Sequence, residues 1–455
     1  MVTVKAIKKA RNADFMLKII SGKIRRISRL AGSFLMRNVL LLLLMDFKKY
    51  GQLSLLFFLQ FLLWGSWYVT LGTYAINTLH FNGQQVGIIY TCGALAATLS
   101  PLLSGMMADR LIPAEKLLAI MHLSGAVILG LLTQISSFLP FFLTLLLYSI
   151  LYMPTHALTA SLVLQQLSDT ARYFPRIRVW GTIGWILAGL TISALAWERT
   201  VWPLYTAASI SLGLGLYCLT LPHTPPQAAI NQPKQRFLES LLDPAFTALF
   251  KDKYFLVFGI CLILERIPSA FYYSFVNPFM EEIGISHTAA KMAYGQVSEI
   301  LIMLVLPALL YRWGIRYVLF LGLLFWGLRY GFLILGLEFG QNGWIYLGLV
   351  VHGICFNFSN LSAQIYMDKR VPGHLRSTGQ GFMTFATLGI GVTIGSPLAG
   401  WLVQSNTLPN GQHDWTQIWV YPFIFGVVVA IVFVSFFRVG PYGIKRQSQT
   451  SVPGQ

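Results

Sequence analysis

A glutamate and a glutamine stand three residues apart inside an apolar stretch of this sequence. Gln296 and Glu299 lie in GQVSEILIMLVLP, and a spacing of three places both on one face of an α-helix. A carboxyl beside an amide can hydrogen-bond a polar neutral solute and can also carry a proton. The pair therefore predicts a solute site coupled to a proton. The alternative is a hydrogen bond that only joins two helices.

Other ionisable residues in apolar stretches are few, and at such depth they are costly and usually face a helix bundle's interior. Glu265 and Arg266 are adjacent, about 100° apart around a helix. We therefore expect them not to pair with each other but to meet partners on another helix, in either a structural or a functional role. A structural role is favoured for Arg329. A lone histidine among apolar residues is more often a hydrogen-bonded core group, so His122 and His156 are not expected in the site.

The composition indicates which solvent surrounds these residues. Of 455 residues 55% are hydrophobic and only 11% are charged, whereas a soluble domain has about 25% charged residues. Lipid must therefore be the solvent for most of the chain. The net charge of +17 does not indicate nucleic-acid binding, because the basic residues are not interleaved with exposed stacking aromatics. The sequence has no metal-ligand cluster, nucleophile triad or phosphate-binding loop, so we expect no enzyme, metal or cofactor.

Apolar segments near 20 residues long recur along the chain, each long enough to cross ~30 Å of hydrocarbon. They predict an all-α polytopic protein of about twelve transmembrane helices, at 52–76, 84–108, 117–136, 139–163, 179–197, 202–220, 254–278, 292–311, 316–336, 344–366, 378–404 and 417–438. Lys and Arg concentrate in one set of connecting loops, and the opposite set holds only Arg199 and Lys291. The positive-inside rule then predicts that both termini are cytoplasmic.

A proline-rich interior connection divides the chain into two predicted six-helix halves. The predicted parts are a basic extension at 1–44, a first bundle at 45–220, a cytoplasmic linker at 221–253, a second bundle at 254–438 and a cytoplasmic tail at 439–455. A repeat supports the division, because DTARYFPRIRVWG (169–181) resembles DKRVPGHLRSTG (368–379). Two parallel halves with a central site are typical of transporters. The extension is either a membrane-surface or targeting segment or lies before a true start at Met45, which we favour.

One loop motif and several segments resemble a known family. GMMADR (105–110) resembles the loop signature of the major facilitator superfamily, with Asp109 and Arg110 as gating residues. FLQFLLWGSWYVTLGTY (58–74), YMPT (152–155), FPRIRVWGTIG (174–184), QVSE (296–299), YRWGIR (311–316) and HGICFNFSN (352–360) resemble, in order, its nucleoside:proton symporter family. The similarity runs from about Met45 to the last predicted helix.

The resemblance implies a nucleoside site built from both halves. By position, the substrate-binding residues are Arg178, Thr182, Trp185, Tyr273, Gln296, Glu299, His352 and Phe356, with Glu299 also carrying the proton. Trp185, His352 and Tyr273 stand where a well-known bacterial member has Phe, Tyr and Asn, and Ala270 stands where it has Gln. These departures predict a pocket with more stacking surface and fewer amides.

We therefore expect a monomeric importer of nucleosides, driven by protons and working by alternating access in a bacterial cytoplasmic (inner) membrane. Its partners are a nucleoside, a proton and the lipid bilayer, without nucleic acid. A sugar or oligosaccharide symporter is the alternative within transport, since fold alone does not choose the substrate. A membrane sensor that transports nothing is a further alternative.

Overall fold

A computed structural model describes residues 47–108, 112–167, 169–225, 241–372 and 375–439. The predicted extension, Met45, Asp109, Arg110 and the tail beyond 439 lie outside these ranges. The chain forms two units. The first is Met1–Leu55, whose described residues are the first turns of one helix. The second is Leu56–Gln455, which holds every other described helix.

The described chain is helical almost throughout, as the composition predicts. The helices are α1 Phe47–Tyr68, α2 Leu71–Asn77, α3 Gly83–Ala108, α4 Ala114–Leu132, α5 Phe138–Gln166, α6 Thr170–Ala194, α7 Trp202–Cys218, α8 Pro244–Thr247, α9 Lys253–Glu282, α10 Thr288–Glu338, α11 Asn342–Val350, α12 His352–Phe356, α13 Ser362–Arg370, α14 Arg376–Thr384, α15 Val392–Ser405 and α16 Trp415–Phe436. Within the ranges that the structure describes, nine helical stretches are long and apolar enough to cross a membrane.

Two of the predicted segments, 292–311 and 316–336, lie on two helices that follow each other directly within the range of α10. The backbone between them leaves helical geometry at Gly314, which has φ +76°. A positive φ costs glycine little because it has no Cβ. The YRWGIR motif is therefore the junction at which one helix ends and the next begins.

Two helices contain π-helical turns, which sequence periodicity does not predict. Residues Asn357–Leu361 join α12 to α13, and residues Phe385–Gly391 join α14 to α15. A π turn inserts one residue into an α-helix and often marks a functional site. Each turn therefore changes which side chains face a neighbouring helix along an otherwise continuous rod.

The two copies of the predicted repeat differ in local structure. Pro175 lies inside α6, the helix that also carries Arg178. Pro372 instead follows the end of α13, and Arg376 begins the next helix. The shared residues thus occupy a helix interior in the first copy and a helix-to-helix connection in the second.

Hydrogen bonds join residues before 225 to residues after 241 at the end that the loop charges predict to be external. Thr73 Oγ1 donates to Asn277 Oδ1 at 2.5 Å, and the Gly83 amide donates to Gln404 Oε1 at 3.0 Å. Arg199 Nε lies 2.9 Å from Glu281 Oε2. Both Thr73 and Asn277 are fully buried. This end of the second unit is therefore closed.

Helices α3 and α15 cross in direct backbone contact at the same end. A Cβ on Gly87 would lie 2.3 Å from the Ser396 carbonyl oxygen and 2.8 Å from the Cα of Gly400. Only glycine permits such an approach, which is how small residues bring membrane helices together. Gly87 and Gly400 thus determine how tightly the two helices close.

We predict that Gly87→Val lowers the melting temperature of the detergent-solubilised protein. The added side chain must push two backbones apart, and overpacking of this kind typically costs about 1–3 kcal/mol. Gly213→Val is the matched control, because a Cβ on Gly213 in α7 meets nothing within 4 Å. Equal melting temperatures for the two variants would contradict tight packing at this crossing.

Candidate functional site

Aromatic side chains of α1, α5 and α6 form one wall of a central cluster. The Trp64 ring lies 4.7 Å from that of His156 and 5.2 Å from that of Trp185, centroid to centroid. Tyr68 lies edge-on to Trp185 at 6.3 Å. Both Trp185 and His156 are only half-buried. This wall therefore offers flat aromatic faces that are not fully covered by protein.

Three buried polar atoms in this wall have no hydrogen-bond partner among the described residues: Gln60 Oε1, Trp64 Nε1 and His156 Nε2. The other end of Gln60 is fixed, because its Nε2 donates to Thr155 Oγ1 at 2.7 Å. Unpaired polar groups in an apolar interior are costly. The three atoms are therefore buried polar groups that the described protein leaves unpaired in this conformation.

The sequence interpretation did not single out Gln60, Trp64 or Tyr68, and it favoured a hydrogen-bonded core position for His156, whose Nε2 has no described partner. The signal was present in the spacing. Gln60, Trp64 and Tyr68 follow one another at intervals of four, as do Tyr152 and His156, so each set lies on one helical face.

The second wall comes from α9, α10 and α12. Tyr273 lies 6.0 Å from His352, edge to face, and His352 stacks on Phe356 at 5.9 Å. Tyr273 also lies 6.2 Å from Tyr68 of the first wall. The structure thus brings Trp185, Tyr273, His352 and Phe356 into one aromatic region shared by both walls.

The predicted acid and amide lie next to this region on α10. Gln296 and Glu299 are half-buried, and Gln296 Oε1 has no described partner. Among the described residues none hydrogen-bonds the Glu299 carboxylate, although its backbone carbonyl accepts from Asn357 Nδ2 at 2.9 Å. The carboxylate interacts electrostatically with Arg178 of the other wall. Glu299 is therefore a half-buried carboxylate that an arginine of the other wall stabilises electrostatically, without a described hydrogen bond.

Arg178 and Thr182 lie one turn apart on α6, on the helix that carries Trp185. The Arg178 guanidinium carbon is 5.8 Å from the centre of the Phe61 ring, and its side chain is exposed. Thr182 is half-buried. Arg178 interacts electrostatically with Glu299, whereas no hydrogen bond joins the Thr182 side chain to the other predicted site residues in the described chain.

The expectation that Glu265 and Arg266 do not pair with each other is wrong. Arg266 Nε lies 3.1 Å from Glu265 Oε2, with both side chains at most 3% exposed. The angle of 100° applies to the Cα–Cβ directions, and an arginine is long enough to bend back along the helix. Both residues also have partners on another helix, as expected, because in the π turn after α12 Ser359 Oγ donates to Glu265 Oε1 at 3.3 Å and Asn360 Oδ1 accepts from Arg266.

Long apolar helices with polar and aromatic side chains clustered between them are typical of multi-pass membrane transporters. The whole helical region also matches the family model described as nucleoside H⁺ symporter, over residues 47–441. The chain belongs to this family, whose members are transporters of the major facilitator type and not enzymes.

Relatives and a solved structure agree with this assignment. YegT of Escherichia coli (strain K12), named as a candidate nucleoside transporter, is 36% identical over 405 residues, covering 86% of this chain and 94% of its own length. The nucleoside permease NupG of the same organism is 34% identical, covering 88% and 98%. A crystal structure of NupG superposes with a TM-score of 0.78 at 34% identity, covering 85% of this chain and 98% of that chain.

We predict that Glu265→Gln lowers the melting temperature by several degrees. Removing one partner of a buried ion pair leaves an uncompensated charge and typically costs about 3–5 kcal/mol. Asp368→Asn is the matched control, because Asp368 pairs with Arg376 at 3.4 Å while 45% and 59% exposed. An exposed pair of this kind contributes about 1 kcal/mol or less. If the two variants melt alike, Glu265 does not compensate a buried charge.

Proposed function

We propose that this protein imports nucleosides together with protons, with the solute bound between the two aromatic walls. The observation that carries the proposal is the Glu299 carboxylate, which has no hydrogen-bond partner among the described residues and stands beside Gln296 and opposite Arg178. A carboxyl left unpaired in a membrane protein is costly, and such groups usually serve ion or proton transfer. Family membership gives the solute class.

In the proposed complex, aromatic side chains contact the faces of the base and polar side chains hydrogen-bond the ribose. Trp185, Tyr273, His352 and Phe356 offer rings on which a base can stack, which contributes about 1–3 kcal/mol for each base. Gln296 and Glu299 hydrogen-bond the ribose hydroxyls. Thr182 adds a hydroxyl, and Arg178 stabilises the ionised form of Glu299. Protonation of Glu299 then weakens its attraction to Arg178 and so couples the proton to the state of the site.

The proposed architecture has twelve spans in two six-helix halves, 45–220 and 254–438, with 221–253 and the tail at 439–455 cytoplasmic. The helix bounds support this count, because each predicted span overlaps a helix, with α10 contributing two arms about Gly314. We further propose a bacterial inner membrane, a monomer, and translation from Met45 without the basic 1–44 segment. Asp109 and Arg110 are proposed to gate the cytoplasmic side.

Alternating access follows from the unequal closure of the two ends. At the proposed external end Thr73 and Asn277 are buried against each other. Arg178, nearer the other end of its helix, is exposed. This pattern supports an inward-facing state, from which the external hydrogen bonds must break to admit the next nucleoside.

A competition panel in proteoliposomes tests the solute class. We expect uptake of labelled uridine to be blocked by adenosine and cytidine, weakly by 2′,3′-dideoxynucleosides, and not by free bases. Stacking tolerates any base, whereas a site built to hydrogen-bond hydroxyls rejects analogues that lack them. Competition by glucose or a disaccharide, without competition by nucleosides, would favour the sugar symporter instead.

A variant pair locates the base within the same assay. Trp185→Ala should weaken the binding of all nucleosides to a similar extent, by about 5- to 150-fold if stacking contributes as above. Trp180→Ala is the control on the same helix, because Trp180 is 41% exposed. An equal loss of nucleoside affinity in the two variants would show that the base does not stack on Trp185.

We predict that Glu299→Gln abolishes uphill, proton-driven accumulation of uridine while leaving counterflow exchange measurable. The amide keeps the shape and hydrogen-bonding capacity of the side chain but cannot carry a proton. Glu338→Gln is the control, because Glu338 lies exposed at the end of the same helix. Wild-type accumulation by the Glu299→Gln protein would exclude Glu299 as the proton carrier.

A further inference from the structure

Arg329 holds a buried guanidinium behind the second aromatic wall. Its side chain is 1% exposed, and its guanidinium carbon lies 3.5 Å from the centre of the Tyr272 ring. Nη2 donates to the Gly348 carbonyl oxygen at 3.0 Å, and Nη1 lies 3.3 Å from Nδ1 of His352. The positive charge of Arg329 is thus compensated by a carbonyl oxygen, an aromatic face and one ring nitrogen.

The chemistry of arginine decides which nitrogen of His352 bears the proton. A guanidinium has five N–H donors and no acceptor, and it stays charged in proteins. Nδ1 of His352 must therefore accept the hydrogen bond with its lone pair. A neutral imidazole that accepts at Nδ1 carries its proton at Nε2. An imidazolium would instead point an N–H at a buried cation.

Packing keeps the ring in this orientation. The ring stacks on Tyr272 at 5.1 Å with an interplanar angle of 19°, and Trp326 lies edge-on to it at 5.9 Å. On the remaining side, a Cβ on Gly295 would lie 3.0 Å from the His352 Cβ. Among the described residues none accepts a hydrogen bond from His352 Nε2. The Nε2–H donor is thus oriented and unused by the protein.

We propose that Arg329 is a positioning residue that fixes His352 as an Nε2–H donor to a lone-pair acceptor of the bound nucleoside, such as a base carbonyl oxygen. The inference rests on the proposed function, since it needs a nucleoside beside His352. It names a selectivity that stacking lacks: the site requires an acceptor atom at this position. It also removes His352 as a proton carrier, which leaves that role to Glu299.

The tautomer is measured on the wild-type full chain, and a variant is used only to assign the resonances. The protein is labelled with ¹⁵N histidine and reconstituted in lipid, and the His352 nitrogens are assigned by their loss in His352→Gln. We expect a protonated, pyrrole-like Nε2 and an unprotonated, pyridine-like Nδ1. A protonated Nδ1, in either the other tautomer or the imidazolium, overturns the inference.

Binding of labelled uridine to the purified chain tests the role of Arg329. Arg329→Met should weaken binding by about tenfold, the effect of one hydrogen bond, and should mix the two tautomers in the ¹⁵N spectrum. Arg316→Met is the matched control in α10, because Arg316 donates to the Val434 carbonyl oxygen at 2.6 Å and does not contact His352. Unchanged affinity in Arg329→Met overturns the inference.

If Arg329→Met does not fold, a second pair of variants tests whether His352 donates from the Nε2 position. The terminal amide of His352→Gln reaches the position of Nε2, whereas that of His352→Asn reaches only the position of Nδ1. We expect the glutamine variant to bind uridine more tightly, and equal binding overturns the inference. If the wild-type chain binds no nucleoside, the proposed function fails. If it binds nucleosides with Nδ1 protonated, only the inference fails.

Discussion

Moving a charged side chain from water into the apolar interior of a membrane protein costs several kcal/mol unless a partner compensates it. By this constraint the buried ionisable groups of the second unit fall into two kinds, those with a compensating partner and those without one. Glu265 and Arg266 compensate each other at 3.1 Å, and Arg329 is held by a carbonyl, a histidine and a tyrosine ring. These charges are fixed in place. The Glu299 carboxylate has no such hydrogen bonds among the described residues, and for this reason we propose it as the group that binds the proton.

Glycines determine where the aromatic side chains of the site stand. A Cβ on Gly65 would lie 3.2 Å from the Trp185 ring, one on Gly181 would lie 2.8 Å from the Phe61 ring, and one on Gly295 would lie 3.0 Å from His352. Because these positions lack side chains, the facing helices approach until their rings project into the shared region. These three glycines therefore shape the aromatic region shared by the two walls.

Sequence patterns predicted the helical character of the chain, because it depends on local composition and spacing. The face shared by Gln296 and Glu299 needs only the helical repeat. The pairing of Glu265 with Arg266 depends on side-chain length and on Ser359 and Asn360 from a helix nearly a hundred residues away. Likewise, His156 reads as a core residue until Trp64 of another helix is placed against it. Contacts across helices of this kind have no signature in a single sequence.

The π turn at Asn357–Leu361 limits which insertions and deletions this part of the chain can tolerate. Ahead of the turn, His352 and Phe356 face the aromatic wall. Within it, Ser359 and Asn360 reach the Glu265–Arg266 pair. Deleting a single codon here would leave a regular helix of ordinary residues but rotate everything after it by about 100°. The number of residues in this segment is thus more constrained than their types. A one-codon deletion would separate the Glu265–Arg266 pair from Ser359 and Asn360 while every helix remained intact.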